Sequence, residues 1–480
     1  MPLAFSQLED SQPSLEHIFH PRSVAIVGTL SDPAYVQWLQ GAGYRGSIYP
    51  VNPSFSEFLG LRAYPSIRDV PGPIDYVISC LPARLLPQLI EDCGQKGVRV
   101  IQLFTARMAE TGESDRIEME GDIVGRARRQ GIRVIGPNCM GIFYPEGGLS
   151  FVFGAPRESG SVGCLSQSGG NASELVWDGS QRGIRFSKVV SYGNAADLNE
   201  CDFLEYFIQD RRTTVIAAYI EGVKEGRRFL SLLRQAAAAK PVVILKGGRT
   251  AAGAEAVASH TASLAGTEAV WEALVRQTGS IAVDSLEEMT DVLLAFSCMA
   301  RPEGRRVACI GGGGGGSVYA ADECERVGLI VPRLPSEMKQ EIKSFAPETW
   351  LLINNPVDVS VTGSPDVLFR TARLVAAWDG VDFLITMAAP VWRLDRARVM
   401  ADFFRAIDAY MEIATTLKRP MAVVVPEANV PEDWKWQGIM EGQRKLIEAG
   451  FPVYPSLSRA ARAVSRVLQY RGRLPAQAEV

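Results

Sequence analysis

Histidine is scarce in this 480-residue chain: the three present, at 17, 20 and 260, leave little from which to build a structural zinc cluster. The eight cysteines, at 80, 93, 139, 164, 201, 298, 309 and 324, include no CxxC pair. Spread through apolar and turn contexts, they read as free thiols of a reducing compartment, so a cytoplasmic location is expected. Basic charge is not in excess: 50 Lys and Arg stand against 54 Asp and Glu, so a nucleic acid backbone is not the expected partner. No run of 18 apolar residues occurs, and the greasiest stretch, 381–391, is strand-sized and broken by Asp382 and Pro390, so no membrane span is expected. The opening MPLAFSQLEDSQPSLEH carries acids early and lacks the basic, apolar and small-residue order of a secretion signal. What is present is 47% hydrophobic residue content and 45 glycines, the make-up of a folded chain with many tight turns, over a length that suggests roughly three domains.

Short apolar strands alternate with amphipathic segments. Predicted strands at Ser23–Val27, 46–51, 74–81 and 98–104 each run into a turn, and a helix is predicted over 85–96, where apolar positions recur at three and four and Gly97 supplies the stop. A second helix, 118–130, precedes a strand at 132–135 and the turn Gly136-Pro137-Asn138-Cys139-Met140-Gly141. This βαβ rhythm predicts a parallel sheet with helices on both faces. The loop-like stretch 149–159 marks a first boundary. Strands at 160–166, 186–191, 214–220 and 241–246 and a helix near 286–299 make a second unit. After the charged turn Arg301-Pro-Glu-Gly-Arg305, the rhythm repeats at 306–310, 383–387 and 420–425. The expected domains are 1–150, 151–302 and 303–480.

Ligands of parallel sheets sit beyond the carboxyl ends of the strands. Gly28, Thr29, Asn52, Pro82, Ala83 and the Pro137-Asn138 turn lie at such ends, as a binding rim or as ordinary turn chemistry; the first turn lacks a full GxGxxG and so does not name a dinucleotide. Ser166-Gln167-Ser168-Gly169-Gly170-Asn171 joins a strand to a helix and presents small residues and N–H groups to a phosphate, although a tight crossover would use the same letters. It lacks the GxSxG form of a serine nucleophile. Gly311 to Gly316 follow another strand without the Lys-Ser/Thr ending of a P-loop; they fit a phosphate cradle or a close backbone approach. The sharpest feature is Lys246-Gly-Gly-Arg249-Thr250 followed by Ser259-His260-Thr261-Ala262-Ser263-Leu264-Ala265-Gly266. A lone histidine is often structural, but His260 among small residues is also a candidate nucleophile, and Glu221, just beyond a predicted strand, is the best candidate to orient its ring.

Several of these motifs, in this order, resemble the acyl-CoA synthetases that form ATP from a nucleoside diphosphate, related to the α subunit of succinyl-CoA synthetase. The resemblance covers nearly the whole chain and is carried by Pro21-Arg22-Ser23-Val24-Ala25-Ile26-Val27-Gly28, Tyr49-Pro50-Val51-Asn52-Pro53, Gly136-Pro137-Asn138-Cys139-Met140-Gly141, Ser166-Gln167-Ser168-Gly169, Tyr192-Gly193-Asn194, Asp210, Tyr219-Ile220-Glu221-Gly222, Lys246-Gly247-Gly248-Arg249, Ser259-His260-Thr261 and Asn355-Pro356-Val357-Asp358. It implies an α/β chain with an N-terminal Rossmann-like CoA-binding domain followed by two flavodoxin-like, succinyl-CoA-synthetase-type domains. It further implies that His260 is transiently phosphorylated with Glu221 bonded to its ring, and that Ser166, Gln167, Ser168, Gly169 and Gly170 hold phosphate. Coenzyme A is implied at Gly28, Thr29, Asn52, Pro82, Ala83 and Asn138. The implied reaction is reversible: acyl-CoA, ADP and phosphate give a carboxylic acid, ATP and CoA. Three departures stand out. Ala262 follows His-Thr where the family usually has glycine; Thr105-Ala-Arg-Met-Ala-Glu110 replaces Gly-Phe-Ala/Ser-Glu, and Gly28-Thr29-Leu30 replaces Gly-Ala-Ser; and no ATP-grasp domain follows the third domain. The expected partner is therefore a separate ATP-grasp β subunit in a heterotetramer, with ATP or ADP and Mg2+ bound there. A CoA- or acyl-CoA-sensing protein, or a relative that uses acyl-CoA without phosphoryl transfer, is the alternative.

Overall fold

The computed structural model describes residues 15–28, 34–261, 267–349, 353–362, 364–390, 395–427 and 432–472, with the side chains of 258–261, 349 and 361 excepted. Contacts divide the chain into two compact units, 1–180 with 185–286, and 181–184 with 287–480. Among the described residues no helix is long and apolar enough to cross a membrane.

The first unit contains two large sheets, the first parallel and the second parallel but for one edge strand, besides the small antiparallel pair Glu57–Phe58 and Leu61–Arg62. In the first, the strands run Ser47–Val51, Ser23–Val27, Tyr76–Ser79, Val100–Leu103, Arg133–Ile135 in spatial order. The chain crosses once to the second strand and then turns back over the first, so the order reverses between Ser23–Val27 and its neighbours. Both faces of the Ser23–Val27, Tyr76–Ser79 and Val100–Leu103 strands are buried, which is why they read as mostly apolar runs, with Ser23, Ser79 and Gln102 the polar exceptions, rather than alternating ones. Helix Leu86–Lys96 buries Leu86, Leu89, Ile90 and Cys93 at the expected spacing, and it stops where Gly97 takes φ 72° and donates its N–H back to Cys93 and Gly94.

The second sheet has the order Ile281–Val283, Val242–Lys246, Val215–Ile220, Val162–Ser166, Phe186–Ser191, Gly141–Phe143. Five strands are parallel, and the sixth, Gly141–Phe143, closes one edge antiparallel to Phe186–Ser191. Its reversal point lies between Val162–Ser166 and Val215–Ile220. Strand Gly141–Phe143 precedes the loop at 149–159 in sequence yet pairs in this second sheet. The expected doubly wound α/β class is the observed one.

In the second unit, strands Val307–Ile310, Phe383–Met387, Met421–Val424 and Val453–Tyr454 form a parallel sheet. Beyond Val307–Ile310 the edge is completed only by single bridges, Arg306 to Ile330 and Ile310 to Val357. Helix Leu286–Cys298 groups mainly with this unit. Glycine is favoured just before helix Gly313–Arg326 because Gly311 and Gly312 take φ 98° and 91°, and a Cβ on Gly311 would also lie 2.8 Å from Met387 O. Gly315 and Gly316 face open space.

Gly193 combines a left-handed φ of 54° with close contact, since a Cβ there would lie 2.2 Å from Pro137 O and 2.4 Å from Asn138 O. Gly279, at φ 77°, has nothing within 4 Å of the same position. Both Gly193→Ala and Gly279→Ala carry the left-handed penalty of about 1 kcal/mol. Gly193→Ala is expected to cost about 2 kcal/mol more, because backbone must move. Thermal denaturation of the two variants side by side checks the difference.

Candidate functional site

The carboxyl ends of the two sheets in the first unit are joined through one turn. At the first sheet, Gly28 donates its N–H to Val51 O at 3.1 Å, and its φ is 93°. A Cβ on Gly28 would sit 2.6 Å from Leu81 Cδ2, so the turn after the first strand lies directly against the turn after Tyr76–Ser79. Asn52 follows its strand and accepts a hydrogen bond from the Ser54 N–H at its own Oδ1, 2.8 Å, an Asx turn. Pro82 precedes the short helical turn Ala83–Leu85 and is exposed. Thr105 Oγ1 donates to Leu81 O at 2.7 Å, and Asn138, at φ 56°, donates its N–H to Thr105 O at 2.9 Å. Gly28, Asn52, Pro82, Ala83 and Asn138 thus occupy neighbouring strand ends of one sheet. Thr29 lies outside the described residues.

Two residues beyond Asn138, Met140 reaches both sheets. Its carbonyl accepts from Gln102 Nε2 at 2.8 Å and Tyr35 Oη at 3.1 Å, and its N–H donates to Ser191 Oγ at 3.1 Å. A Cβ on Gly169 would meet Met140 Cγ at 2.6 Å. The turn that holds Asn138 is therefore packed against the crossover Ser166 to Gly170.

That crossover opens helix Gly169–Gln181. Ser166 Oγ donates to Ser168 O at 2.7 Å, and Ser168 Oγ accepts from the Asn171 N–H at 3.2 Å. The first backbone bond of the helix is Ala172 N–H to Ser168 O, 3.1 Å, so the amides before it lie at the electropositive helix start, where an anion is stabilised. Gln167 turns inward instead: its Oε1 accepts the N–H of Glu221 at 2.5 Å and of Gly222 at 2.9 Å, clamping together the two strand ends at the reversal point.

Glu221 is 5% exposed. Its Oε1 accepts from Tyr219 Oη at 3.1 Å, while its Oε2, also buried, has no hydrogen-bond partner among the described residues. Beneath it, Lys246 Nζ donates to Glu221 O at 2.8 Å and to Gly247 O. Burial lowers the Lys246 ammonium below its ordinary value, opposed by Glu221 and Glu268, and burial with the Glu221 charge raises the Tyr219 phenol. Gly247 has no room for a side chain, since a Cβ would meet Tyr219 Oη at 2.6 Å.

His260 lies in the last turn of helix Ala251–Thr261, which follows this loop and packs against the turn Ala109–Thr111 of the first sheet. Its imidazole, like Ala262, lies outside the described side chains. The backbone nevertheless carries His260 on the element that leaves the strand beside Glu221.

Sequence reasoning missed the network behind Ala109–Thr111. Asn194 Nδ2 lies within hydrogen-bond distance of Glu110 Oε2 at 2.6 Å and Glu120 Oε2 at 2.9 Å. Glu110 also accepts the N–H of Arg107 at 2.5 Å and of Met108 at 3.0 Å, and Glu120 accepts the N–H of Ala109 at 3.1 Å. Lys224 Nζ donates to Asn194 O and Ala195 O, both at 2.8 Å. Asn194 was visible in the Tyr192-Gly193-Asn194 motif, but its partners are 84 and 74 residues away.

Comparison with known proteins agrees with this arrangement. Residues 22–145 match the CoA binding domain family, and residues 159–296 match the succinyl-CoA ligase like flavodoxin domain family. The chain is 36% identical over 377 residues to the α subunit of acetate–CoA ligase (ADP-forming) II of Pyrococcus furiosus, covering 78% of this chain and 82% of that one. It is 32% identical over 461 residues to acetate–CoA ligase (ADP-forming) I of Archaeoglobus fulgidus, covering 95% of this chain and 64% of that protein. The solved acetyl-coenzyme A synthetase 1 of Candidatus Korarchaeum cryptofilum, in complex with phosphate and ADP, superposes with a TM-score of 0.81 at 31% identity, covering 96% of this chain and 97% of that chain.

Burial raises the Glu120 carboxyl above its ordinary value, Glu110 adds to the rise, and bonds from Asn194 and Ala109 and the Lys224 charge oppose it. The folded chain then holds this proton to higher pH than the unfolded chain, so stability present at low pH is lost as pH rises from the ordinary value of 4.5 through the raised folded value. Glu120→Gln keeps an acceptor oxygen and is expected to flatten this part of the stability–pH curve. Urea denaturation of both proteins from pH 4 to 8 reads it out: the variant should gain on the wild type as the pH rises.

Proposed function

The chain belongs to the ADP-forming acyl-CoA synthetases as an α subunit, and from that premise we propose that it carries out the CoA and phosphohistidine half-reactions with Glu221 and His260 as the catalytic pair. The observation that carries this reading is the buried Glu221 Oε2 without a partner among the described residues, at a strand end flanked by the Gln167 clamp. A buried carboxylate oxygen left unbonded is costly, and an imidazole N–H is the donor that would satisfy it.

Acyl-CoA is held along Gly28, Asn52, Pro82, Ala83 and Asn138; Thr29, outside the described residues, is assigned the same role by the resemblance. Gly28 supports this because, at φ 93° and without a side chain, it lets the turn after Ser23–Val27 lie against Leu81 at the reversal point of the sheet. A phosphate oxygen attacks the thioester carbonyl; the C–S bond breaks, CoA leaves as the thiol with the proton released, and an acyl phosphate remains. The unprotonated ring nitrogen of His260 then attacks phosphorus. The P–O bond to the acyl group breaks, releasing the carboxylate, and the ring keeps the phosphoryl group. Glu221 accepts the other ring N–H and stabilises the positive charge that develops there. Ser166, Gln167, Ser168, Gly169 and Gly170 form the phosphate turn, in which the amides at the helix start face the anion and Gln167 fixes the distance between turn and carboxylate. The phosphoryl group passes finally to ADP, and the reverse sequence activates the acid with ATP.

ADP and Mg2+ are assigned to an ATP-grasp domain on a β subunit, in a heterotetramer. The α-subunit designation of the P. furiosus relative supports a divided enzyme. Among the described residues no group of three His, Cys, Asp or Glu is arranged to hold a metal ion. The division into domains at 1–150, 151–302 and 303–480 and a cytoplasmic location belong to the same proposal; eight free thiols support the location.

The chain alone, given acyl-CoA and radiolabelled inorganic phosphate, should become labelled on histidine without any nucleotide. His260→Ala should take up no label, and Glu221→Gln should label about 10²-fold more slowly. Label persisting unchanged in His260→Ala would sink the shuttle.

A further inference from the structure

Arg107 departs from local backbone preference in a way the reaction above does not use. Its φ is 63°, the left-handed region that costs a residue with a side chain about 1 kcal/mol or more, and it stands where the related pattern Gly-Phe-Ala/Ser-Glu has its glycine. The turn does not need an arginine to hold it. The Arg107 N–H is bonded to Glu110 Oε1 at 2.5 Å, Glu110 Oε2 takes the Met108 N–H and Asn194, and Glu120 Oε2 takes the Ala109 N–H and Asn194. The two nearby carboxylates are thus occupied by backbone and amide groups. The Arg107 side chain is exposed and forms no hydrogen bond or ion pair among the described residues.

Its place narrows what it could meet. Two residues earlier, Thr105 binds Leu81 O through its hydroxyl and the Asn138 N–H through its carbonyl, which fixes the turn to the proposed CoA rim. Two residues later begins Ala109–Thr111, against which helix Ala251–Thr261 packs. Arg107 therefore stands on the segment linking the CoA turns to the His260 helix, where the acyl end of the thioester meets phosphate. A guanidinium fork is matched to planar or tetrahedral oxyanions and binds them with two parallel N–H···O bonds.

Building on the proposed function, we infer that Arg107 is a specificity-determining residue that binds the oxyanion of the reacting substrate, the carboxylate of the acid or inorganic phosphate, rather than the phosphates of CoA. The left-handed backbone, locked by Glu110, aims a side chain from a position that glycine would leave bare.

The test uses the chain alone. Labelling from radioactive phosphate is run with whichever of acetyl-, butyryl- or phenylacetyl-CoA phosphorylates the wild type fastest, and the washed phosphoprotein is then chased with CoA and the matching acid. Arg107→Gly is expected to raise the half-saturating concentration of phosphate in the first arm, or of the acid in the second, about tenfold, with that of acyl-CoA and CoA unchanged. Arg107→Lys should recover part of the loss. The melting temperature of Arg107→Gly should equal or exceed that of the wild type, separating a ligand role from a structural one. Unchanged values for both phosphate and acid overturn the inference, as does a rise confined to CoA and acyl-CoA. A wild type that takes no label with any of the three thioesters overturns the proposed function, and this inference with it.

Discussion

The turn Gly136-Pro137-Asn138-Cys139-Met140-Gly141 is the constraint on which the rest of the first unit depends. Its Asn138 N–H is bonded to Thr105 of the first sheet, its Met140 carbonyl to Gln102 of the same sheet, and its Met140 N–H to Ser191 of the second. Three hydrogen bonds within three residues thus fix the two large sheets by the carboxyl ends of their parallel strands. Gly193 pays for that closeness by giving up its side chain, since anything larger would strike Pro137 and Asn138. Gln102 shows why the arrangement is rigid: buried in the sheet, it donates to Met140 O and to Tyr35 Oη at 3.0 Å and accepts from Tyr76 Oη at 2.7 Å, so its amide is held from three sides.

In the two large sheets of the first unit the five parallel strands follow the same spatial order, and the two reversal points carry residues of different kinds. The first presents glycine, asparagine and proline turns, mostly backbone and uncharged, suited to a long ligand laid over them. The second brings a buried carboxylate, a buried ammonium and a helix start within one clamp. The two reversal points share a topology; what distinguishes them is the residues that stand at the strand ends.

Much of this was legible from the letters. Buried parallel strands are mostly apolar, so Ser23–Val27 was bounded to the residue, and so was Phe186–Ser191 although it buries Ser187, Lys188 and Ser191. Glu221 and the Ser166 to Gly170 turn follow directly from strands ending there. The rest depended on pairs distant in sequence: Asn194 with Glu110 and Glu120, Gln102 with Met140, Gln167 with Glu221. A single sequence shows that a polar residue is present; it does not show which strand end it will face. Gln167 illustrates the limit, for its letter fits a phosphate turn while its amide oxygen is spent on two backbone N–H groups. The glycine run at 311–316 was open to two readings, and the carbonyl of Met387, more than 70 residues away, accounts for Gly311 by close approach.

The electrostatics of the second reversal point place a condition on the proposed chemistry. A phosphate brought beside Glu221 meets a negative group in a setting with little water, where repulsion is strong. Lys246 offsets part of it but spends its donors on carbonyls, and the helix start contributes only a partial charge. An imidazole between carboxylate and phosphorus changes the balance. In the proposed reaction its N–H would satisfy the Glu221 oxygen, its other nitrogen would face phosphorus, and the positive charge growing on the ring as the N–P bond forms would sit between two anions. Glu221 thereby becomes more favourable as the reaction proceeds, which is the condition for lowering a barrier rather than merely binding a ligand.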